Sequence, residues 1–261
     1  MSFVSVVAIS ILLLNLPCPV FSNDQRYLNC SSSLSCGNIT NLMYPFYGLN
    51  RANYCGQPGF KLDCQNEVPF IKIGSNQYKY RVVDSNPLQR IITVTRNDYW
   101  ETTCPLDFIN TTFDPYPFHY IAGFWNLTLF YGCIFNNWPI QGLTTGNVCL
   151  INDTTVNMFY STTTREIGPG LGKCNSSVIV PVQGKAALAV NENKTTVGKA
   201  IEEGVEVFWD EDVDKCTICL QSGGVCGFNW TQSLFSCFCY DHPSSTSCPT
   251  RPGLQSPATK Y

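Results

Sequence analysis

The residues in this chain that could do chemistry are a Cys-x-x-Cys pair, two histidines and a glycine-rich run. Cys216-Thr-Ile-Cys219 has the spacing of a redox pair or of half a zinc site. A redox pair of this kind belongs at the strand-to-helix junction of a βαβ unit, and zinc needs a second ligand pair, which on paper Cys226, Cys237 and Cys239 supply. In an oxidising compartment disulfides are the default, so neither a metal nor a cofactor is expected. His119 and His242 are the two histidines, the obvious general bases near neutral pH. No Gly-x-Ser-x-Gly elbow accompanies them. His119 stands between Phe118 and Tyr120 as a packing residue, and His242 lies in a Pro/Ser-rich segment. Gly168-Pro-Gly170-Leu-Gly172-Lys173 resembles a phosphate loop, but Cys174 stands where Ser or Thr would hold magnesium, so a Gly/Pro turn is expected. Neither His-Arg-Asp nor Asp-Phe-Gly occurs, so the motifs of protein-kinase chemistry are missing from these residues. No catalytic residue is assigned, and the chain reads as a non-enzyme.

How the cysteines are read depends on the compartment. Phe3 to Leu16 is apolar, too short to span a bilayer comfortably, and followed by Pro17 and Pro19; it reads as a signal-peptide core. Val20 and Ser22 place small residues at −3 and −1 of a cut before Asn23. The cysteine count of fifteen is odd, but Cys18 lies in the segment to be removed. The rest, Cys30, Cys36, Cys55, Cys64, Cys104, Cys133, Cys149, Cys174, Cys216, Cys219, Cys226, Cys237, Cys239 and Cys248, suffice for seven disulfide bridges of open connectivity. Eight Asn-x-Ser/Thr sequons, at Asn29, Asn38, Asn110, Asn126, Asn152, Asn175, Asn193 and Asn229, fit the same secretory route. After the signal no further apolar run reaches about eighteen residues, the length that would suggest a spanning helix. A secreted, extracellular glycoprotein is expected.

The elements that would position these residues are mainly strands. Phe70-Ile71-Lys72-Ile73, a turn at Gly74-Ser75-Asn76, the alternating Tyr78-Lys79-Tyr80-Arg81-Val82, and Arg90 to Arg96 after Ser85-Asn86-Pro87 predict a three-stranded antiparallel meander. Tyr78, Tyr80 and Val82 share one face and Lys79 and Arg81 the other. Further on, Phe124 to Tyr131 and Val178-Ile179-Val180 read as strands. Thr196 to Glu203 reads as a helix, with Thr195 at the N-cap, Val197, Ala200 and Ile201 on one face, and Gly204 as the stop. The expected class is mainly β and disulfide-rich, with two small cysteine-rich modules and one short helix in the second. The boundaries are 1–22 for the signal, 23–104 and 105–248 for the modules, and 249–261 for a disordered tail. Charge divides along the same line. Residues 23–104 carry eight Lys/Arg against six Asp/Glu, whereas 105–249 carry six against thirteen. Glu202, Glu203, Glu206, Asp210, Glu211, Asp212 and Asp214 supply much of that acidity. They read as a solvated face, because their spacing does not match a calcium loop.

Two clusters resemble a known family. Cys30-SSSLS-Cys36-Gly37, Tyr44-Pro45-Phe46 and Cys55-Gly56-Gln57-Pro58-Gly59-Phe60-Lys61-Leu62-Asp63-Cys64 look like the galacturonan-binding module of plant wall-associated kinases and of the leaf-rust-resistance type receptor-like kinases. Gly204-Val-Glu-Val-Phe-Trp209, Cys216-Thr-Ile-Cys219, Ser222-Gly223-Gly224-Val225-Cys226-Gly227 and Phe235-Ser-Cys237-Phe-Cys239 are similar to the C-terminal module that follows it. The sequence departs from the family where Asp241 is followed by His242 and not Gly. The resemblance implies a receptor-like ectodomain in the plant cell wall space whose partner is wall galacturonan, or pectin, with no nucleic acid and no catalysis. Alternatives are a secreted defence or decoy protein for a protein or peptide partner, and a truncated form of a membrane-bound serine/threonine receptor kinase. Galacturonan is a polyanion whose sugar rings have apolar faces, so cations beside aromatics suit it. Lys72, Lys79, Arg81, Arg90 and Arg96, with Tyr78 and Tyr80, are the expected carbohydrate-binding residues.

Overall fold

The computed structural model describes residues 24–74, 78–111, 117–151, 153–163, 172–210 and 213–249. The predicted signal and its cleavage site, Ser75 and Asn76 of the predicted meander turn, Pro115, the Asn152 sequon, Gly168 to Gly170, Glu211, Asp212 and nearly all of the predicted tail lie outside them.

The predicted meander forms. β4 (Val68–Ile73), β5 (Tyr78–Asn86) and β6 (Ile91–Arg96) pair antiparallel in that order. β3 (Leu62–Gln65) adds to β4 through a two-residue turn, Asn66-Glu67, in which both residues take positive φ (51° and 61°). That conformation matches the twist of a tight hairpin. On the far side β6 pairs with β14 (Val205–Trp209) and β14 with β7 (Phe118–Tyr120), giving a six-stranded sheet in the order β3-β4-β5-β6-β14-β7. Strands from both sides of Cys104 thus complete one sheet. One face of it, carrying Leu62, Ile71, Ile73, Tyr80, Val82, Ile92, Val94, Val205, Val207 and Trp209, is buried. It packs against the hairpin β1 (Leu34–Cys36) and β2 (Ile39–Leu42) and against Phe46 and Phe60.

A second sheet, β10 (Thr144–Ile151), β11 (Thr154–Ser161), β8 (Phe124–Tyr131) and β13 (Ser176–Gln183), contains both predicted strands of this region. Its buried face carries Leu127, Leu129, Tyr131, Met158, Val178 and Val180. A short ladder, β9 (Ile134–Phe135) with β12 (Gly172–Lys173), lies beside the Cys133–Cys174 bridge. The predicted helix is present at Val197–Glu202, with Val197, Ala200 and Ile201 buried and Gly204 at φ +76° beyond its end. Its N-cap is Thr196, whose hydroxyl accepts the Lys199 amide, and not Thr195.

Among the described residues three further helices appear where the sequence predicts none. α1 is Gln25–Ser31 and α2 is Gly184–Asn191; with α3 as the predicted helix, α4 is Val213–Gln221. All are under three turns, so they give little periodicity, and tertiary packing stabilises such short helices more than their own propensity does. α4 carries Cys216 and Cys219 one turn apart. It is stapled to the three-stranded sheet β15 (Val225–Asn229), β16 (Leu234–Phe238) and β17 (Pro243–Ser244).

All fourteen expected cysteines pair, as Cys30–Cys55, Cys36–Cys64, Cys104–Cys149, Cys133–Cys174, Cys216–Cys226, Cys219–Cys237 and Cys239–Cys248. The two cysteines of the Cys-x-x-Cys run therefore bridge to different strands and not to each other. Cys237, Cys239 and Cys248 bring their sulfurs within 4.8 Å of one another because two bridges lie side by side there. The C-terminal unit is held chiefly by this sulfur cluster and Phe235, as expected of a unit too small to build an apolar core.

The family-like motifs acquire reasons. Gly224 is packed so closely that a Cβ on it would lie 2.5, 2.7 and 2.8 Å from the sulfurs of Cys237, Cys248 and Cys219. Tyr44-Pro45-Phe46 is clasped by Gly56 and Gln57: the Gln57 amide donates to the Pro45 carbonyl at 2.9 Å, and its side chain donates to the Tyr44 hydroxyl. Phe46 then sits edge-on between Phe60 and Trp209. This joins the first cluster of motifs to the strand of the second.

Candidate binding cleft on the outer sheet face

The outer face of the large sheet divides in two. Over β6 it is covered by α3, where Thr95 is buried and its hydroxyl donates to the Ile201 carbonyl at 2.6 Å. Over β3, β4 and β5 it is open. There a cleft of about 430 Å³ is lined by Tyr47, Gly59, Lys61, Asp63, Phe70, Ile71, Lys72 and Lys79.

Register arranges these residues in rungs across the strands. Lys72 lies opposite Lys79, and Leu62 opposite Ile71, so the ladder brings Lys61, one residue before β3, level with Lys72. Three lysines thereby form one rung. The next rung is Asp63, Phe70 and Arg81, the last of them opposite Thr95. Side chains alternate faces along a strand, so both rungs point outward while Ile71, Ile73 and Tyr80 point into the core.

The cations lie against aromatic rings. Lys79 Nζ is 3.7 Å from the centroid of the Phe70 ring and donates to Gln65 Oε1 at 2.7 Å. Arg81 lies over Trp100 at 4.4 Å and near Phe70 at 5.5 Å, and its Nε donates to Asn97 Oδ1 at 3.0 Å. Rings and cations in such contact attract through the ring quadrupole. The result is a row running Trp100, Arg81, Phe70, Lys79. Gln65 donates through its side-chain amide nitrogen to Asp63 Oδ2 at 2.6 Å, which occupies the one carboxylate among the described residues that line the cleft. Tyr47 forms a wall, its backbone bridged to Lys61. Burial raises the pKa of the Tyr47 phenol, so it remains a neutral hydrogen-bonding group.

The expected carbohydrate-binding residues separate. Lys72, Lys79 and Arg81 come together on the open face. Arg96 does not: it lies opposite Tyr80 on the inner face and is 2% exposed. Burial disfavours its charge, but Asp98, with an oxygen 2.5 Å from Nη2, more than offsets this and raises its pKa. Its guanidinium stacks over Tyr78 and Tyr99. Tyr80 is buried in the same core, and Tyr78 packs partly buried against it. Arg90 lies over Phe208 at 4.4 Å. It adjoins Ile91, which pairs with Asn86 at the opposite end of β5 from Lys79. The cause is register: the step from Thr95 to Arg96 turns the side chain through the sheet. Lys61, Tyr47 and Phe70 were missed. The alternation Lys61-Leu62-Asp63-Cys64-Gln65 was the available signal for Lys61.

In sequence, residues 30–96 match the family described as wall-associated receptor kinase galacturonan-binding, and residues 148–242 match the wall-associated receptor kinase C-terminal family. The chain is similar to leaf rust 10 disease-resistance locus receptor-like protein kinase-like 2.1 of Arabidopsis thaliana, at 29% identity over 91% of this chain and 38% of that protein. It is 31% identical to the 2.8 relative from the same plant, over 84% of this chain and 25% of the relative. The 2.5 relative is 28% identical over 89% and 36% respectively. The chain thus spans between 25% and 38% of the length of these relatives. No solved structure matches it. Two family models in their expected order, and relatives matched along nearly the whole chain, show that it belongs to the ectodomain family of the wall-associated and leaf-rust-resistance type receptor-like kinases.

Proposed function

We propose that this chain is a secreted, glycosylated extracellular protein that binds galacturonan, the acidic chain of pectin, in the cleft over β3 to β5 and does not turn it over. The observation that carries the reading is the rung of Lys61, Lys72 and Lys79, in register across three strands and within the segment that matches the galacturonan-binding family. Like charges directly opposite on neighbouring strands cost stability. A carboxylated polymer laid across them would turn that cost into attraction. Tyr47 and Trp100, both partly exposed, give apolar faces for the rings of the sugar chain. Phe70 is buried beneath Lys79 and Arg81 and seats them, and the ammonium groups give charge-assisted hydrogen bonds to the carboxylates of the polymer.

Titration calorimetry of oligogalacturonide into the protein tests this, with a neutral glucan of equal length as control. Saturable binding of the acidic oligomer alone, weakening with salt as screening grows, is expected. Equal affinity for the neutral glucan would overturn the charge-based reading, and release of new reducing ends would overturn the non-catalytic one.

A further inference from the structure

The cleft does not end at Tyr47. The C-terminal unit reaches over the large sheet at the loop between β15 and β16. There Trp230 packs edge-on against Tyr47, with ring centroids 5.6 Å apart. Phe228 also packs edge-on against the indole, with ring centroids 5.9 Å apart. The indole Nε1 donates to the Asn53 carbonyl at 2.9 Å, which fixes the ring to the N-terminal part of the chain. Despite these contacts the side chain remains 39% exposed. A large ring that is oriented by a hydrogen bond, braced by two aromatic neighbours and still open to solvent is a ready surface for the apolar face of a sugar.

Its position gives it a partner. Tyr47 is both the wall of the lysine cleft and the residue bridged to Lys61, so Lys61, Tyr47 and Trp230 form a continuous path off the edge of the sheet. We infer that Trp230 is a stacking subsite of the same binding site, taking the apolar face of a pyranose ring in an acidic chain that runs on from the lysine rung. The binding site is then built by both sequence modules, and recognition depends on chain length. The N-terminal cleft alone holds a short oligomer, while a longer one also covers Trp230. This inference depends on the cleft reading above.

The test is the affinity of galacturonan trimers and of long oligomers for the full chain, measured in parallel. A Thr231→Ala background removes the sequon at Asn229 without touching the Asn229 side chain. Its carboxamide oxygen accepts the amides of residues 231 and 232 and so shapes this loop. No attached glycan can then cover the indole. In this background Trp230→Ala is expected to weaken the long oligomer about tenfold and leave the trimer unchanged, and Trp230→Phe to restore most of the loss. Equal weakening of both lengths would assign Trp230 a structural role only and overturn the inference, as would no change at either length. Absence of oligogalacturonide binding in the unsubstituted protein would instead bring down the cleft reading and this subsite with it. A failed subsite and a failed cleft therefore give different results.

Discussion

Lys72 and Lys79 face each other directly across β4 and β5. Lys79 gains from the Phe70 ring and from Gln65, whereas Lys72 is exposed at the sheet surface. The pair is a cost that folding alone does not require, since like charges in opposed positions destabilise a sheet by roughly 0.2–1 kcal/mol.

Lys72→Gln should therefore separate stability from binding. Denaturant unfolding is expected to show the variant equal to the parent or more stable by about 0.5 kcal/mol. Its affinity for oligogalacturonide should fall about tenfold, or roughly 1.4 kcal/mol. Loss of both together would mean that the lysine serves the fold.

Arg51 tests how the N-terminal cluster is held. It is 2% exposed, and its guanidinium donates to the carbonyls of Cys30 at 2.9 Å, Ser32, and Cys55 at 3.1 Å. These are carbonyls at the ends of α1 and of the short 3₁₀ turn Asn53–Cys55, which lack helical partners. Burial lowers its pKa to about 10. Arg51→Met should leave these carbonyls unsatisfied and cost about 3 kcal/mol, read as a lower denaturant midpoint with the disulfides intact.

Stability at high pH should be governed by buried phenols. Burial pushes the Tyr99 hydroxyl up to about 12, partly countered by its hydrogen bond with Tyr131. The phenols of Tyr80, Tyr120 and Tyr131 are also raised, again chiefly by burial. An acid whose folded pKa exceeds its unfolded value near 10 favours the folded state while protonated. That contribution is complete below pH 10 and is lost between 10 and about 12. Arg51, with a folded pKa lowered to about 10, acts in the opposite sense over the same range, but one group opposes four. Urea midpoints should fall above pH 10, and tyrosinate absorbance should show a late-titrating class released only on unfolding. A midpoint that holds steady would contradict this.

Gly223 and Gly224 are neighbours with different demands. Gly223 sits at φ +82° with open space about it, so Gly223→Ala should cost about 1 kcal/mol for the backbone alone. In Gly224→Ala a methyl group would enter the sulfur cluster. Free thiols detected by labelling, and lost amide-exchange protection in β15 and β16, are expected for Gly224→Ala and not for Gly223→Ala.

Much of this was legible in the sequence where period and chemistry agreed. Alternation from Tyr78 to Val82 correctly placed Lys79 and Arg81 on the face opposite Tyr80. The same reasoning, carried one strand further without register, grouped Arg96 with them, although the pairing of Arg96 with Tyr80 turns it inward. Pairings of long sequence separation were not legible. Nothing local in Val205 to Trp209 says that it completes a sheet begun at Leu62, and nothing local in Trp230 says that it meets Tyr47. Likewise Ser222-Gly223-Gly224 was recognisable as a motif, but its reason is three sulfurs from distant cysteines.

The most direct test of the binding cleft is calorimetric titration of oligogalacturonide into the unsubstituted protein and into Lys61→Gln/Lys72→Gln/Lys79→Gln. All three positions lie on the open face, so the variant should keep the fold, as circular dichroism would verify. Tight, salt-sensitive binding by the unsubstituted protein and a loss of about a hundredfold or more in the variant is the predicted result. Undiminished affinity in a folded variant would contradict the assignment of this cleft.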